Sequence, residues 1–181
     1  MNILITGAAG FIGSHAAREL LKDKNANIIG IDNFNDYYNP KFKEDNAKSL
    51  KIKIYRGDLR DAALLNKVFS ENKIDKIIHL ASMVGVRYSI ENPEIYQDVN
   101  IRGTLNMLEM ARKHKCKKFI FGSSSSVYGN SRKVPFSEND SVDNPISPYA
   151  ATKKSAELLC YSYNYLYGIP MVCLRFFTVY G

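Results

Sequence analysis

The 181-residue sequence has no apolar run long enough to cross a bilayer, no internal repeat and no low-complexity tract. A membrane-spanning helix needs about 20 consecutive apolar residues, so we expect no membrane segment. The chain opens at Met1 without a basic leader or a small-residue cleavage site, which argues against a secretory signal. Cysteine is also scarce. The three cysteines, Cys116, Cys160 and Cys173, are odd in number and lie far apart in the sequence. This pattern predicts a reduced, cytoplasmic protein.

Neither the net charge nor the histidines indicate a special partner. The net charge is +7, but the basic residues are scattered, and the densest cluster, at 112–118, lies where a helix should end. Cations at that position favour the helix dipole, so we expect no nucleic-acid partner. His15, His79 and His114 have no ligand spacing, and His79 in an apolar run suggests a core histidine, so no metal site is expected.

Short apolar runs alternate with longer amphipathic stretches along the whole chain. They predict six buried strands, at 3–5, 28–31, 52–55, 77–80, 119–121 and 171–174. They also predict helices near 12–23, 40–49, 61–70, 92–114 and 148–167, the last with Ser147 as N-cap and Pro148 at the first helical position. This alternation predicts an α/β fold, a doubly wound (Rossmann) parallel sheet with helices on both faces. No linker interrupts it, so residues 1–181 should form one domain.

A glycine-rich turn with the spacing G-x-x-G-x-x-G follows the first predicted strand. Gly7 permits a tight turn, Gly10 lets the backbone approach a pyrophosphate, and Gly13 lets the next helix pack on the sheet. Asp32, at the end of the second strand, can accept hydrogen bonds from the adenosine ribose and repel a 2′-phosphate. Strand, turn, helix and acid together predict NAD binding, with NAD favoured over NADP. Asp58, after the third strand, is a candidate for the adenine amino group or a turn residue.

Tyr149 and Lys153 are four residues apart on a predicted helix and therefore share a face. A lysine ammonium lowers the pKa of a neighbouring tyrosine, which can then act as general base in alcohol oxidation, and Lys153 can also hold the nicotinamide ribose. The spacing alone is weak, because Tyr37 and Lys41 repeat it. Placement favours Tyr149, since its helix follows a strand that ends in the serine run 123–126, whose hydroxyls can bond the same substrate oxygen.

These elements together resemble the extended short-chain dehydrogenase/reductases that act on nucleotide sugars, and the similarity covers the whole chain. The resemblance implies a tightly held NAD and a catalytic triad of Ser124, Tyr149 and Lys153. It also implies further NAD contacts from residues at or near the strand ends, which are Phe11, Ile12, Asn33, Leu59, Leu80, Ala81, Ser82, Asn100 and Phe177.

Within that family the sequence is most similar to UDP-glucuronate 4-epimerases. Ser125 and Ser126 stand where related dehydratases and decarboxylases carry a carboxylate, which favours an epimerase. Segments 32–38, 85–89 and 175–181 are similar to those of the glucuronate enzymes, with UDP-galactose and UDP-N-acetylhexosamine 4-epimerases as alternatives. The resemblance implies transient oxidation at C4. Ser125, Ser126 and Thr178 are candidate donors to the sugar carboxylate, and Arg87 is a candidate cation or a surface ion-pair residue.

The sequence ends at Gly181, directly after the sixth predicted strand. Members of the resembled family hold the UDP-sugar between this domain and a smaller C-terminal part. We therefore expect a chain that lacks the C-terminal substrate subdomain and turns over weakly or not at all by itself. A non-catalytic NAD-binding module is the alternative of a different class. The resemblance also implies a homodimer through the helices at 92–114 and 148–167.

Overall fold

The computed structural model describes residues 1–181 and contains one six-stranded parallel sheet. Its strands are β1 (Asn2–Thr6), β2 (Asn27–Asp32), β3 (Lys53–Arg56), β4 (Lys76–His79), β5 (Lys118–Ser124) and β6 (Met171–Phe176). They lie in the order β3-β2-β1-β4-β5-β6, and every neighbouring pair is parallel. The chain therefore builds outward from β1 in one direction and from β4 in the other. This confirms the predicted doubly wound sheet, whose switch point lies between β1 and β4.

Seven α-helices connect the strands, and three of them begin at a side-chain cap. They are α1 (Phe11–Leu20), α2 (Pro40–Leu50), α3 (Ala62–Glu71), α4 (Val86–Glu91), α5 (Pro93–Tyr96), α6 (Gly103–Lys113) and α7 (Pro148–Tyr167). The side chains of Asn39, Asp61 and Ser147 accept backbone N–H groups at the starts of α2, α3 and α7. Gly168, with φ of 65°, ends α7 in the left-handed conformation that glycine adopts without strain.

The helix predicted at 92–114 is divided in the structure, and α4 was not predicted. A π-helical turn, Gln97–Arg102, separates α5 from α6. Inside this turn the buried Asn100 bonds to the backbone of Met83 and to the hydroxyl of Thr152. Such turns often lie at functional sites. In this protein the π-helical turn contains the residue, Asn100, that bonds to these two distant segments of the chain. The first helix also ends at Leu20 instead of 23.

The hydrophobic core lies on both faces of the sheet. Leu4 packs in the larger cluster, which is covered by α3, α6 and α7, whereas Ile3 and Ile5 pack in the smaller cluster under α1 and α2. Alternate residues of a strand point to opposite faces, so both faces of β1 are buried. At the edge of the sheet, Val172 and Leu174 of β6 remain 41% and 40% exposed.

Candidate active site

A cleft of about 400 Å³ runs along the carboxyl ends of the strands. It is bounded by the turn after β1, the loops after β2, β3 and β4, the end of β5 and the start of α7. This is the edge at which doubly wound sheets bind their ligands. Most of the residues singled out in the sequence line it, namely Gly7, Gly10, Phe11, Ile12, Gly13, Asp32, Asn33, Asp58, Leu59, Leu80, Ala81, Ser82, Ser124, Tyr149, Lys153 and Phe177.

The turn after β1 has no room for side chains at its first and last glycines. A Cβ on Gly13 would lie 2.1 Å from the carbonyl oxygen of Gly7, and a Cβ on Gly7 would lie 2.9 Å from the amide nitrogen of Ala81. Gly7 also has φ of +69°. No side chain caps the start of α1, so its first amides remain available as donors. This cradle of backbone N–H groups fits a pyrophosphate.

Two carboxylates, Asp32 and Asp58, lie at the end of the cleft next to β2 and β3. Asp32 is 5% exposed and is held by the amides of Ala9, 3.0 Å from Oδ2, and Phe34, 2.9 Å from Oδ1. Each oxygen can accept further bonds from ribose hydroxyls. Asp58 is occupied differently, because it accepts two bonds from the Arg60 guanidinium, at 2.8 and 2.9 Å. The bond from Arg60 holds the pKa of Asp58 below its usual range.

Tyr149, Lys153 and Ser124 meet at the opposite end of the cleft. The Lys153 ammonium donates to the carbonyl of Gly122 at 2.8 Å and lies 5.9 Å from the centroid of the Tyr149 ring. Burial lowers the pKa of Lys153 to about 7. Burial raises the pKa of Tyr149, and the nearby Ser124 hydroxyl lowers it in part. A phenol, an amine and a hydroxyl therefore share one wall of the site.

Residues 4–181 match the family model described as GDP-mannose 4,6 dehydratase. The chain belongs to this family. The match confirms the expected relationship to the short-chain dehydrogenase/reductase enzymes of nucleotide sugars.

Curated and solved members of the family are close in sequence and structure. UDP-glucuronate 4-epimerase 3 of Arabidopsis thaliana is 46% identical over 184 residues, which are 99% of this chain and 43% of the relative. The crystal structure of UDP-glucuronic acid 4-epimerase from Bacillus cereus, in complex with UDP-glucuronic acid and NAD, has a TM-score of 0.92 at 41% identity and covers 100% of this chain and 58% of that one. A UDP-N-acetylglucosamine 4-epimerase from Methanobrevibacter ruminantium M1 has a TM-score of 0.84 at 36% identity, over 99% of this chain and 56% of that one. The chain thus spans about half the length of these relatives.

Five of the residues singled out do not line the cleft, which are Arg87, Asn100, Ser125, Ser126 and Thr178. Arg87 and Thr178 are exposed, and Arg87 forms no ion pair. Ser125 and Ser126 are half-buried in a 3₁₀ turn directly after Ser124. Asn100 is 2% exposed and accepts bonds from Ser82 and the Met83 amide. It therefore supports the cleft wall from behind.

The cleft also contains residues that were not among the predicted site residues. The loop after β2 folds over it and brings in Asn35, Tyr37 and Tyr38, and α2 contributes Lys43. Gly85, with φ of +92°, leaves room for this loop, because a Cβ there would lie 2.7 Å from the Tyr37 hydroxyl. Lys41, the partner of Tyr37 in the second Y-x-x-x-K pair, is exposed and outside the cleft. Which residues line the cleft therefore depends on the paths of the loops, and the spacing of residues in the sequence does not determine these paths.

His79 is a hydrogen-bonded core residue beneath the cleft, 1% exposed. The Thr6 hydroxyl accepts the amides of Leu80 and Ala81, so its own proton goes to His79 Nδ1, at 2.7 Å. Nε2 then carries the ring hydrogen and donates to the Thr104 hydroxyl at 2.9 Å. Burial lowers the pKa of His79 to about 3, so the ring is neutral. No group of three or more metal-binding side chains occurs, and no helix is long and apolar enough to span a membrane.

Proposed function

We propose that this chain provides the NAD-binding and proton-transfer part of a UDP-sugar 4-epimerase that interconverts UDP-glucuronate and UDP-galacturonate. The observation that carries the proposal is the meeting of Ser124, Tyr149 and Lys153 at one end of a cleft whose other end carries the glycine cradle and Asp32. The 41% identity to the Bacillus cereus epimerase supports the same assignment.

The proposed cofactor is NAD, which supplies reversible oxidation at the sugar carbon when it is bound. The first amides of α1 would hold its pyrophosphate, and Gly7 and Gly10 would let the backbone turn tightly and approach it closely. Asp32 would accept the adenosine ribose hydroxyls, and Lys153 would hold the nicotinamide ribose. The other predicted cofactor residues that line the cleft would contact the rings. These are Phe11, Ile12, Asn33, Asp58, Leu59, Leu80, Ala81, Ser82 and Phe177. Asn100 would support Ser82 from behind.

Tyr149 would remove the proton from the C4 hydroxyl and return it after the sugar has turned its other face. Losing its own proton places a negative charge in a buried position, which burial alone disfavours. The Lys153 ammonium, close to the ring, offsets this cost, and the Ser124 hydroxyl steadies the reacting oxygen. General acid–base catalysis of this kind contributes about 10²–10⁴-fold in rate.

The glucuronate assignment adds a carboxylate that the protein must hold. A 4-keto glucuronate is a β-keto acid and loses carbon dioxide readily, so the site must orient the carboxylate against cleavage. Ser125, Ser126 and Thr178 are the proposed hydroxyl donors, and Arg87 is the proposed cation. UDP-galactose and UDP-N-acetylhexosamine are the alternative substrates.

The decisive experiment is an epimerase assay with UDP-glucuronate, with UDP-galactose and UDP-N-acetylglucosamine in parallel. The chain spans about half its relatives' length, so we expect weak or no turnover by it alone. The assay therefore includes a version extended by the C-terminal part of the Bacillus cereus epimerase. We expect UDP-galacturonate as product, and a loss of about 10²-fold or more in Tyr149→Phe.

The exposed Tyr167 supplies the control, because it lies outside the cleft and Tyr167→Phe should leave turnover unchanged. If UDP-galactose is turned over and UDP-glucuronate is not, UDP-galactose becomes the assigned substrate. Unchanged function in Tyr149→Phe would instead favour the non-catalytic NAD-binding module.

We also propose a cytoplasmic homodimer formed through residues 92–114, which contain α5, the π-helical turn and α6, and through α7 at 148–167. On α7 the apolar side chains of Leu158, Tyr161 and Tyr165 are 54%, 71% and 80% exposed. Their spacing places them on one face of the helix, where a second copy can cover them. The three cysteines are free, which fits a reducing compartment.

A further inference from the structure

Four charged side chains line the cleft, and they differ in how their charge is compensated. These are Asp32, Lys43, Asp58 and Lys153. Asp58 is paired with Arg60, and Lys153 belongs to the catalytic end. Neither Asp32 nor Lys43 takes part in any ion pair. The adenosine end therefore contains a carboxylate and an ammonium that are both available to a ligand.

The Lys43 ammonium is held in a defined place. It is half-buried, and it donates to the backbone carbonyl of Asn35 at 3.0 Å and to the side-chain oxygen of Asn35 at 2.6 Å. An ammonium has three donors, so one remains for a ligand in the cleft. Asn35 lies on the loop that follows Asp32 at the end of β2, so the end of β2 and this loop position the two charges.

No other cation at this end is equally placed. The Arg56 guanidinium stacks 3.8 Å from the centroid of the Phe34 ring and is paired with Glu44. Arg60 is committed to Asp58 by two hydrogen bonds. Neither arginine lines the cleft. Lys43 is thus the one cation of the cleft wall at the adenosine end.

Removing the Asp32 carboxylate would leave several donors without an acceptor. The amides of Ala9 and Phe34 each donate to one oxygen of Asp32 and would both be released. Together with the Lys43 ammonium they offer a set of positive donors. Such a set matches a phosphate, which binds through charge-assisted hydrogen bonds to cations and backbone N–H groups.

We propose that Lys43 is a further residue of the cofactor site and that its ammonium contacts the adenosine ribose. We infer that Asp32 alone excludes a 2′-phosphate from a site that already contains the cation to bind one. The inference rests on the proposed binding of NAD. It assigns cofactor selectivity to a pair of opposite charges, Asp32 and Lys43, on one loop and the helix that follows it.

The test is calorimetric titration of the chain with NAD and with NADP, at one pH and salt concentration. The variants are Asp32→Ser, Lys43→Met and the double variant, and Asp32→Ser with Lys48→Met is the matched control. Lys48 lies on α2 as well, but it is exposed and does not line the cleft. Thermal unfolding checks that each variant is folded, and Asp32→Asn serves as a second variant of near-native size.

We expect the native chain to bind NAD and to bind NADP much more weakly. Asp32→Ser should bind NADP at least about tenfold more tightly than the native chain, because one charge-assisted hydrogen bond is worth about 1.5–3 kcal/mol. Adding Lys43→Met should remove that gain, and adding Lys48→Met should keep it. Lys43→Met alone should weaken NAD binding by a few fold.

Two outcomes would overturn the inference while leaving the proposed function intact. One is a double variant with Lys43→Met that binds NADP as tightly as Asp32→Ser. The other is NAD binding by the native chain with no gain in NADP affinity in either Asp32 variant. If the folded native chain binds neither nucleotide, the proposed cofactor fails together with the inference.

Discussion

At the scale of single residues, Lys153 stands out because its charge has no acidic partner. Its side chain is 3% exposed and its one hydrogen bond goes to a neutral carbonyl, that of Gly122. Burial alone lowers its pKa to about 7, so amine and ammonium are about equally populated near neutral pH. A negative charge on Tyr149 would favour the ammonium. We therefore expect the protonation state of Lys153 to depend on that of Tyr149, and the reverse.

The depressed pKa of Lys153 predicts how the free energy of unfolding depends on pH. In the unfolded chain a lysine has a pKa of about 10.4, so between about pH 7 and pH 10 the unfolded state binds more protons than the native state. The contribution of this residue to stability therefore rises with pH across that window. Relative to Lys153→Met, the native chain should gain roughly 2 kcal/mol between about pH 7.5 and 9.

Urea unfolding at a series of pH values measures this difference. Lys41→Met, at the exposed lysine of the second Y-x-x-x-K pair, should keep the native slope. The same slope in the native chain and in Lys153→Met would contradict the assignment.

At the scale of secondary-structure elements, a hydrogen-bonded relay joins β1, β4 and α6 below the cleft. It runs from Thr6 through His79 to Thr104, whose hydroxyl donates to the carbonyl of Asn100 at 2.6 Å. The side chain of Asn100 then bonds to Thr152 of α7, the residue directly before Lys153. The π-helical turn is thus tied both to the sheet and to the helix that carries Tyr149.

Breaking this relay at Thr104 should destabilise the fold. Thr104→Val keeps the shape but leaves the His79 N–H without an acceptor, which should cost about 1–3 kcal/mol. Thr104→Ser keeps the hydroxyl and should cost about 0.8 kcal/mol for the lost methyl group. Chemical denaturation measures both values. A Thr104→Val variant as stable as the native chain would show that the relay contributes nothing.

At the scale of the whole molecule, the exposed apolar face of α7 is the most informative surface. The proposed homodimer buries Leu158 and Tyr161, so Leu158→Glu with Tyr161→Glu should give a monomer at concentrations at which the native chain is a dimer. Sedimentation equilibrium distinguishes the two masses. Val134→Glu, at a loop residue that is 85% exposed, should leave the mass unchanged. A native chain that is monomeric at all concentrations would remove the dimer proposal.

The sequence by itself determined the doubly wound sheet, the turn after β1 and the position of Asp32. Short stretches of sequence determine these features, because apolar periodicity, glycine spacing and helix caps act over a few residues. The six predicted strands and the helix at 148–167 lie where the structure has them for this reason. Tyr149 and Lys153 were found in the same way, since four residues on a helix place two side chains on one face.

Only the tertiary structure decided which side chains meet in the cleft. Asn100 and Thr152 are 52 residues apart in the chain, and their bond accompanies the π-helical turn that divides the predicted helix. Lys43 enters the cleft because the loop after β2 folds back on α2, whereas Arg87 stays outside although its segment matched a family pattern. Local signals cannot report such contacts, because loop paths are set by packing between segments that are distant in sequence.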